Sequence, residues 1–282
     1  MTRIYLIVIL LVASAAGAAT FSSWNGTTIG RSTGNMRAWN GKVFGNHSTT
    51  QIARINEFRT YSTAAGGGEP PAITYVNSTN FSAVSGTTDD ALPALTTTTG
   101  NTIIVASHVY NGPPSSPVTS ITDTAGNTYT RCGAVEGFSS SASQEMWVAT
   151  NITGHASNVI TIHRSAESGY PRISVAQYSG LATSGVCDAS STRNSTASST
   201  THTSNSTATT AQANELVVGY YLTLDSYGAW SATSPYNLRL DANGDDALVD
   251  RIVSSTGAYS ITASTAITTT ASVIVRTFKG AQ

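Results

Sequence analysis

The densest group of potential metal ligands is an acidic loop near the C-terminus. Asp241, Asn243, Asp245 and Asp246 carry oxygen side chains within one short segment. Ca²⁺ takes about six to eight oxygen ligands on a tightly curved loop, so this spacing suggests a calcium site. The pattern departs from an EF-hand, because Ile252 stands where a bidentate Glu is expected. The alternative is an ordinary Asn-Gly hairpin whose aspartates favour the turn.

Evidence for catalysis is weaker. Glu136 and Glu145 flank a predicted turn and would face each other across a hairpin, as the paired carboxylates of a glycoside hydrolase must. A Ser-rich loop between two strands needs no catalytic explanation, however. The sequence has no Gly-x-Ser-x-Gly elbow and no histidines at metal-ligand spacing. We therefore predict that the protein is not an enzyme and has no cofactor other than the possible Ca²⁺.

Aromatic residues offer a third kind of chemistry. Tyr227, Trp230 and Tyr236 lie close together in the sequence, and flat rings stack on the apolar faces of sugars. They predict a possible carbohydrate-binding surface. Tryptophan in a β-sandwich is more often part of the core, so the two interpretations remain open.

The composition excludes several classes of partner. The chain has 282 residues, of which 38 are Ser and 44 are Thr, and only 10% are charged. The formal net charge is -1 and no basic cluster occurs, which argues against nucleic acid as a partner. With 40% hydrophobic residues the chain has enough apolar side chains for a sizeable core.

The N-terminus has the pattern of an export signal. Arg3 precedes a short apolar run from Ile4 to Ala13 and a small-residue segment that ends at Ala19. This order is typical of a secretory signal peptide, which we assign to residues 1–18. We expect an extracellular protein with no stable membrane span after cleavage.

The only cysteines are Cys132 and Cys187. In an exported chain one disulfide is the natural prediction. It would close a loop of 55 residues and contribute about 4 kcal/mol in the chain-entropy model.

Residues 19–65 are predicted to form an N-terminal arm, followed by a Gly/Pro linker at 66–71. The arm repeats a Trp-Asn-Gly motif at Trp24 and Trp39, and Asn-Gly is the strongest two-residue hairpin signal. The arm has too few large apolar side chains to form a hydrophobic core alone. We therefore expect these side chains to dock on another surface. The predicted anchors are Trp24, Ile29, Trp39, Phe44, Ile52, Ile55 and Phe58.

Residues 72–282 are predicted to form one β-rich domain. Short runs rich in Val, Ile, Thr and Tyr alternate with Gly and Asn breaks, and no segment favours a long amphipathic helix. About ten to twelve strands of this kind indicate an all-β, antiparallel, jelly-roll-like β-sandwich. The hydroxyl-rich stretch 189–212 is interpreted as an uncharged solvated loop or a glycan-bearing surface.

Asn-x-Ser/Thr sequons raise the possibility of glycosylation, although many arise by chance in a hydroxyl-rich chain. They begin at Asn25, Asn46, Asn77, Asn80, Asn151, Asn194 and Asn205.

Three segments resemble a family of secreted bacterial β-sandwich modules found in surface and fibre-associated proteins. They are Thr119–Tyr129, Gln177–Leu181 and Ala213–Gly219. The resemblance covers roughly residues 90–280, and its motifs are a turn, a strand end and a core strand. The layout also resembles protomers of extracellular bacterial fibrils, in which a jelly-roll domain receives an extended segment from a neighbour.

These observations predict a secreted structural subunit of a cell-surface filament, whose partner is another copy of itself. Each arm would dock on the sandwich of the next subunit, a heterologous contact that generates an open filament. The alternative is a monomeric carbohydrate-binding or adhesin module with glycans as partners. A wall-active hydrolase is the third hypothesis.

Overall fold

The computed structural model describes residues 70–84, 87–110, 118–139, 142–167, 169–194, 198–223, 228–242 and 244–282, together with the backbone of 38–39 and 42–43. The chain divides into two units, Met1–Gly68 and Glu69–Gln282. In the first unit, β1 (Ala38–Trp39) and β2 (Lys42–Val43) pair as the antiparallel strands of a hairpin. The hairpin predicted from the second Trp-Asn-Gly motif is therefore confirmed.

The second unit is built from strands, and its described residues include no helix. Its first half contains β3 (Thr74–Ser82), β4 (Asp89–Ala91), β5 (Leu95–Thr97), β6 (Thr102–Tyr110), β7 (Ser120–Asp123), β8 (Thr130–Arg131), β9 (Glu136–Ser139), β10 (Ala142–Ala149), β11 (His155–Asn158), β12 (Ile160–His163) and β13 (Gly169–Ser179). Its second half contains β14 (Cys187–Asn194), β15 (Ser199–Thr203), β16 (Asn214–Thr223), β17 (Trp230–Ser231), β18 (Asn237–Ala242), β19 (Asp246–Ser254), β20 (Thr262–Thr269) and β21 (Ala271–Lys279).

These strands form four layers. The first large sheet has the order β3-β13-β6-β10-β8, and the second has the order β14-β21-β16-β19-β18. The two large sheets pack face to face around a core that includes Ile104, Met146, Val218 and Ile274. The outer face of the first large sheet packs against β4-β12-β7 and β5-β11, and the outer face of the second packs against β15-β20-β17.

The four layers explain why the central strands are apolar without alternation. Ile103, Ile104 and Val105 in β6 are all fully buried, because neighbouring side chains enter different cores on the two faces of the sheet. The runs Leu216–Val218 and Val273–Val275 follow the same rule. A two-layer sandwich would leave one face of each sheet exposed to water, so these runs require the additional layers.

The two halves repeat one strand order. We call β3–β13 the first module and β14–β21 the second module. When β5, β9 and β11 are left out of the first module, each module has eight strands, which we number 1 to 8 along the chain. In both modules the large sheet then has the strand order 1-8-3-6-5 and the outer sheet has the order 2-7-4. The last strands correspond at a spacing of 100 residues, with Tyr178 and Gly180 matching Phe278 and Gly280.

The modules are related by an approximate two-fold axis. β3 lies beside β18, where Arg239 is 4.3 Å above the ring of Tyr75. On the opposite side, the disulfide connects the residue after β8 to β14. At the centre, Ala281 N–H donates to Gly180 O at 2.9 Å, and Leu181 pairs with Gly280. The fold is thus two copies of one β-module joined face to face.

The all-β, antiparallel class is confirmed, and the jelly-roll assignment stays a prediction. The described part of the second unit contains nineteen strands rather than the ten to twelve expected. Short outer strands such as β4 and β17 account for much of the difference, because two or three residues give no periodic signal. The interpretation of 189–212 as a loop is wrong in part, since this stretch contains most of β14 and all of β15.

Candidate functional site

The most concentrated set of polar side chains lies between the two large sheets, at the β13/β19 corner. Each contact joins a donor from the first module to a carboxylate from the second. The pairs are Arg172 Nε to Asp245 Oδ2 at 2.6 Å, Ser174 Oγ to Asp246 Oδ2 at 3.0 Å and Tyr178 Oη to Asp250 Oδ2 at 2.9 Å. Charged groups that are buried between two sheets destabilise the fold unless they are paired in this way.

Two groups in this corner have strongly shifted protonation equilibria. Burial raises the pKa of the Asp246 carboxyl to about 7, although hydrogen bonds from Ser174 and Tyr220 favour the charged form. Burial also lowers the pKa of His108, and the nearby Arg172 lowers it further. Shifted pKa values often mark catalytic sites. Here His108 is only 3% exposed and Asp246 is fully buried, so the corner holds the sheets together rather than facing a substrate.

The opposite corner, where β21 meets the end of β8, is organised by Arg276. Its guanidinium donates to Cys132 O at 2.8 Å and to Ala134 O at 3.0 Å, and it lies 3.3 Å from Glu136 Oε1. The disulfide between Cys132 and Cys187 adjoins these contacts, with a Cα–Cα distance of 5.8 Å. The predicted disulfide is confirmed, and it joins the two modules covalently.

The residues of the predicted calcium loop face in different directions. Asp241 accepts hydrogen bonds from Gly244 N–H and Trp230 N–H, which stabilise the turn. Asp245 and Asp246 point into the interface between the large sheets, and Asn243 lies outside the described residues. Among the described residues, no three His, Cys, Asp or Glu side chains form a group that could hold a metal ion.

The predicted sugar-stacking residues are also separated. Trp230 is 4% exposed and packs against Tyr221 in the core between the second large sheet and its outer sheet. Its ring therefore has no free face for a sugar. Tyr236 is half-buried against the same core and donates to Ser260 O at 3.3 Å, while Tyr227 lies outside the described residues.

The two carboxylates considered for a hydrolase, Glu136 and Glu145, contact different parts of the fold. Glu145 is fully buried on the outer face of the first large sheet, where it accepts hydrogen bonds from Arg131 and Trp147. Burial raises its pKa, although these donors act in the opposite direction. Glu136 instead meets Arg276 of the second module. The arrangement is that of two structural ion pairs, not of carboxylates facing one substrate.

The sequons occupy varied positions. The side-chain amides of Asn77 and Asn205 are both hydrogen-bonded within the protein. Asn77 donates to Thr96 O and Asn205 donates to Thr192 O, each at 2.8 Å. Asn151 is exposed, and Asn80 is half-buried. No side-chain description covers Asn194, and Asn25 and Asn46 lie outside the described residues. So do the side chains of all the arm anchors, from Trp24 to Phe58.

One motif behind the resemblance is a structural turn. Asp123 accepts hydrogen bonds from the backbone and side chain of Asn127, from Tyr129 Oη and from Asn158 Nδ2. Burial alone would raise the pKa of Asp123, but these donors lower it overall. Gly126 has a φ of 75° at the tip of the turn, which favours glycine there.

Among the described residues, exposed large apolar side chains occur at both ends of β3. Among the described residues, β3 pairs with β13 alone, so one row of its backbone groups faces away from the sheet. Val76, Val84 and Tyr170 lie on β3, just after it, or on the adjacent end of β13. They are three of the five exposed large hydrophobic side chains in the described part of the chain.

Sequence reasoning did not single out Arg172 or Arg276. A signal was present, because each arginine lies beside apolar residues in a strand that is rich in Val and Ile. A charge in such a strand must be paired inside the protein. The partner, however, lies in the other module and more than 70 residues away along the chain.

No known protein family, curated protein or solved structure matches this chain.

Proposed function

We propose that the chain is a secreted structural subunit of an extracellular filament, and that residues 20–65 of one copy dock on the β3 edge of the next. The observation that carries this proposal is the β3 edge itself. It combines an open row of backbone groups with exposed Val76, Val84 and Tyr170. A strand edge of this kind can receive an extended segment from another chain by β-augmentation.

The arm supplies the complementary chemistry. Its seven apolar anchors are too few for a core of their own, and burying one large apolar side chain contributes about 1.5–3 kcal/mol. Docking several of them would offset the entropy lost when the arm becomes ordered. The signal-like N-terminus and the disulfide support export.

Electron microscopy and light scattering of the mature full-length protein test the proposal. We expect regular fibres from the intact chain and monomers from a chain that lacks residues 20–65. Val76→Lys places a charge on the receiving edge and should prevent fibre formation. Ile267→Lys is the matched control, because Ile267 is equally exposed, at 41% against 40%, but lies in β20 of the opposite outer sheet.

The possible outcomes separate the hypotheses. Fibres that persist without residues 20–65 would contradict arm docking. Fibres that survive Val76→Lys would exclude β3 as the receiving edge. A full-length protein that remains monomeric and binds glycans would favour the adhesin alternative.

A further inference from the structure

Three side chains that can react with one another meet at one end of the second large sheet. Lys279 is in the last strand of the second module, between β14 and β16. Its Nζ lies 3.4 Å from Asp188 Oδ1 in β14. On its other side, Glu215 in β16 is its direct register partner. Register partners in antiparallel strands have Cβ atoms about 4.5–5.5 Å apart, so Glu215 starts beside Lys279 on the same sheet face, and its carboxyl group lies next to Asp188.

The surroundings hold these groups in place. The Asp188 side chain is only 13% exposed, and its Oδ2 accepts a 2.6 Å hydrogen bond from Ala211 N–H. Oδ1 is thereby left facing the lysine. Glu215 is fully buried, and neither of its carboxyl oxygens has a hydrogen bond of normal geometry, although Asp188 and Thr277 lie next to the group. A buried carboxyl group without strong donors favours its neutral form.

The protonation states support this description. Burial, followed by the proximity of Asp188, raises the pKa of Glu215 to about 7, although Thr277 acts in the opposite direction. Burial would raise the pKa of Asp188 as well, but the Ala211 N–H, Glu215 and Lys279 together lower it. These opposite shifts favour the proton on Glu215 rather than on Asp188. A carboxyl group that titrates near neutral pH is suited to both donate and accept a proton.

We propose that Lys279 and Asp188 join through an intramolecular isopeptide bond, and that Glu215 is the acid–base group that promotes its formation. The ammonium first passes a proton to the Asp188 carboxylate. The neutral Nζ then attacks Cγ of Asp188 and forms the C–N bond. Glu215 donates its proton to Oδ1 and takes one from Nζ, and the C–Oδ1 bond breaks to release water. An amine and a carboxylic acid become an amide and one water, with no oxidant or reductant.

The geometry favours each part of this reaction. Well-oriented groups within one molecule react as if at effective concentrations of about 10⁵–10⁸ M, because no entropy is spent on bringing them together. The Ala211 N–H is aimed at Oδ2, where negative charge develops when the amine attacks. The product would connect the first strand of the second module to its last. Ser179 occupies the corresponding position in the first module, so no such bond can form there.

Intact-mass spectrometry of the purified, disulfide-reduced protein tests the inference. The comparison is between wild type and Lys279→Arg, which share the same N-terminal processing. We expect wild type to be lighter by one water beyond the Lys-to-Arg difference, and proteolysis to yield a branched peptide joining Lys279 to Asp188. The chain has only one other lysine, Lys42, so Lys42→Arg is the matched control and should keep the water loss.

Two further variants test the roles of the partners. Glu215→Gln retains the shape of the side chain but cannot cycle a proton, and it should abolish the water loss in a protein that still folds. Asp188→Asn should release ammonia instead of water if the bond forms. A wild-type mass with no water missing would overturn the inference, and a loss that survives Glu215→Gln would remove Glu215 from it. Neither result depends on whether the protein forms filaments.

Discussion

The two corners of the interface between the modules are related by the approximate two-fold axis, yet they use different chemistry. At the β13/β19 corner, Arg172 pairs with Asp245. Counting back from Gly180 and Gly280, the counterpart of Arg172 is Ser272, which donates to Gln144 Oε1 at 2.6 Å. At this pair of matching positions, one corner has an ion pair and the other has a neutral hydrogen bond.

A second difference lies four residues further along the same two strands. Ala176 in the first module corresponds to Arg276 in the second, and the arginine reaches across to the backbone of Cys132. The repeated strand order shows that both modules share one arrangement of buried strands. From the unequal polar residues we infer that this pairing and orientation of the modules is favoured, because a mismatched pairing would bury unpaired charges.

The largest expected loss of stability comes from replacing Arg276 with alanine, the residue that the first module has at this position. Arg276→Ala gives both modules alanine at this position and leaves the Cys132 and Ala134 carbonyls without their donor. We expect a loss of about 3–5 kcal/mol in the free energy of unfolding, measured by urea denaturation. Ala176→Gly is the control at the matching position and should cost only about 1 kcal/mol. Similar losses for the two variants would contradict the role given to Arg276.

Removing the covalent link between the modules should have the next largest effect. Cys132→Ser combined with Cys187→Ser should lower the free energy of unfolding by about 4 kcal/mol, because the 55-residue loop is no longer closed in the unfolded chain. The same denaturation experiment measures it, with reduced wild type as the control. A change below about 1 kcal/mol would mean that the interface alone sets the stability of the pair.

The charged corner should also make stability depend on pH. The pKa of Asp246 rises from 3.8 in its ordinary state to about 7 in the folded protein, so the folded state binds more protons between these values. The free energy of unfolding should therefore fall as the pH rises from about 4 to 7. Asp246→Asn should remove roughly 2–4 kcal/mol of that decrease.

Other groups also titrate in this pH range. The contribution of Asp246 is therefore the difference in the pH dependence of the free energy of unfolding between Asp246→Asn and wild type. Glu215 has the same sign and His108 the opposite sign. Ser272→Ala removes an uncharged group, so it should change the free energy of unfolding by the same amount at every pH. If Asp246→Asn does the same, the carboxyl is not the titrating group.

The smallest expected effect is at Tyr178, whose counterpart in the second module is Phe278. Tyr178→Phe makes the two positions alike and removes one hydrogen bond to Asp250, which keeps Arg239 and Asn237 as partners. We expect a loss of about 1–1.5 kcal/mol in the free energy of unfolding. A double-mutant cycle with Asp250→Ala, which removes the acceptor, measures the coupling, and a coupling of zero would show that the hydroxyl contributes nothing across the interface.

Much of the fold was predictable from particular residues. Asn40 and Gly41 predicted the hairpin that β1 and β2 form, and the presence of only two cysteines left one possible pairing. The duplication was not recognised, although Gly180 and Gly280 each follow a strand whose second-last residue is aromatic. Two modules with so few identical residues share a pattern of buried positions, and that pattern resembles any other buried strand.

The candidate site was less predictable. Asp241, Asp245 and Asp246 are close in sequence and suggested one metal site, but Asp241 binds backbone N–H groups of the turn while Asp245 and Asp246 pair with Arg172 and Ser174 of the first module. Conversely, Asp188, Glu215 and Lys279 are far apart in sequence and come together only because β21 lies between β14 and β16.

The sequence by itself determined the all-β class, the disulfide and the local turns, since each depends on residue types or on neighbours within a few positions. The tertiary structure alone decided that two modules pack face to face, which carboxylate each arginine meets and which strands lie at open edges. The physical reason is that a strand's pattern specifies which of its faces must be buried, whereas the surface that buries it belongs to a distant part of the chain.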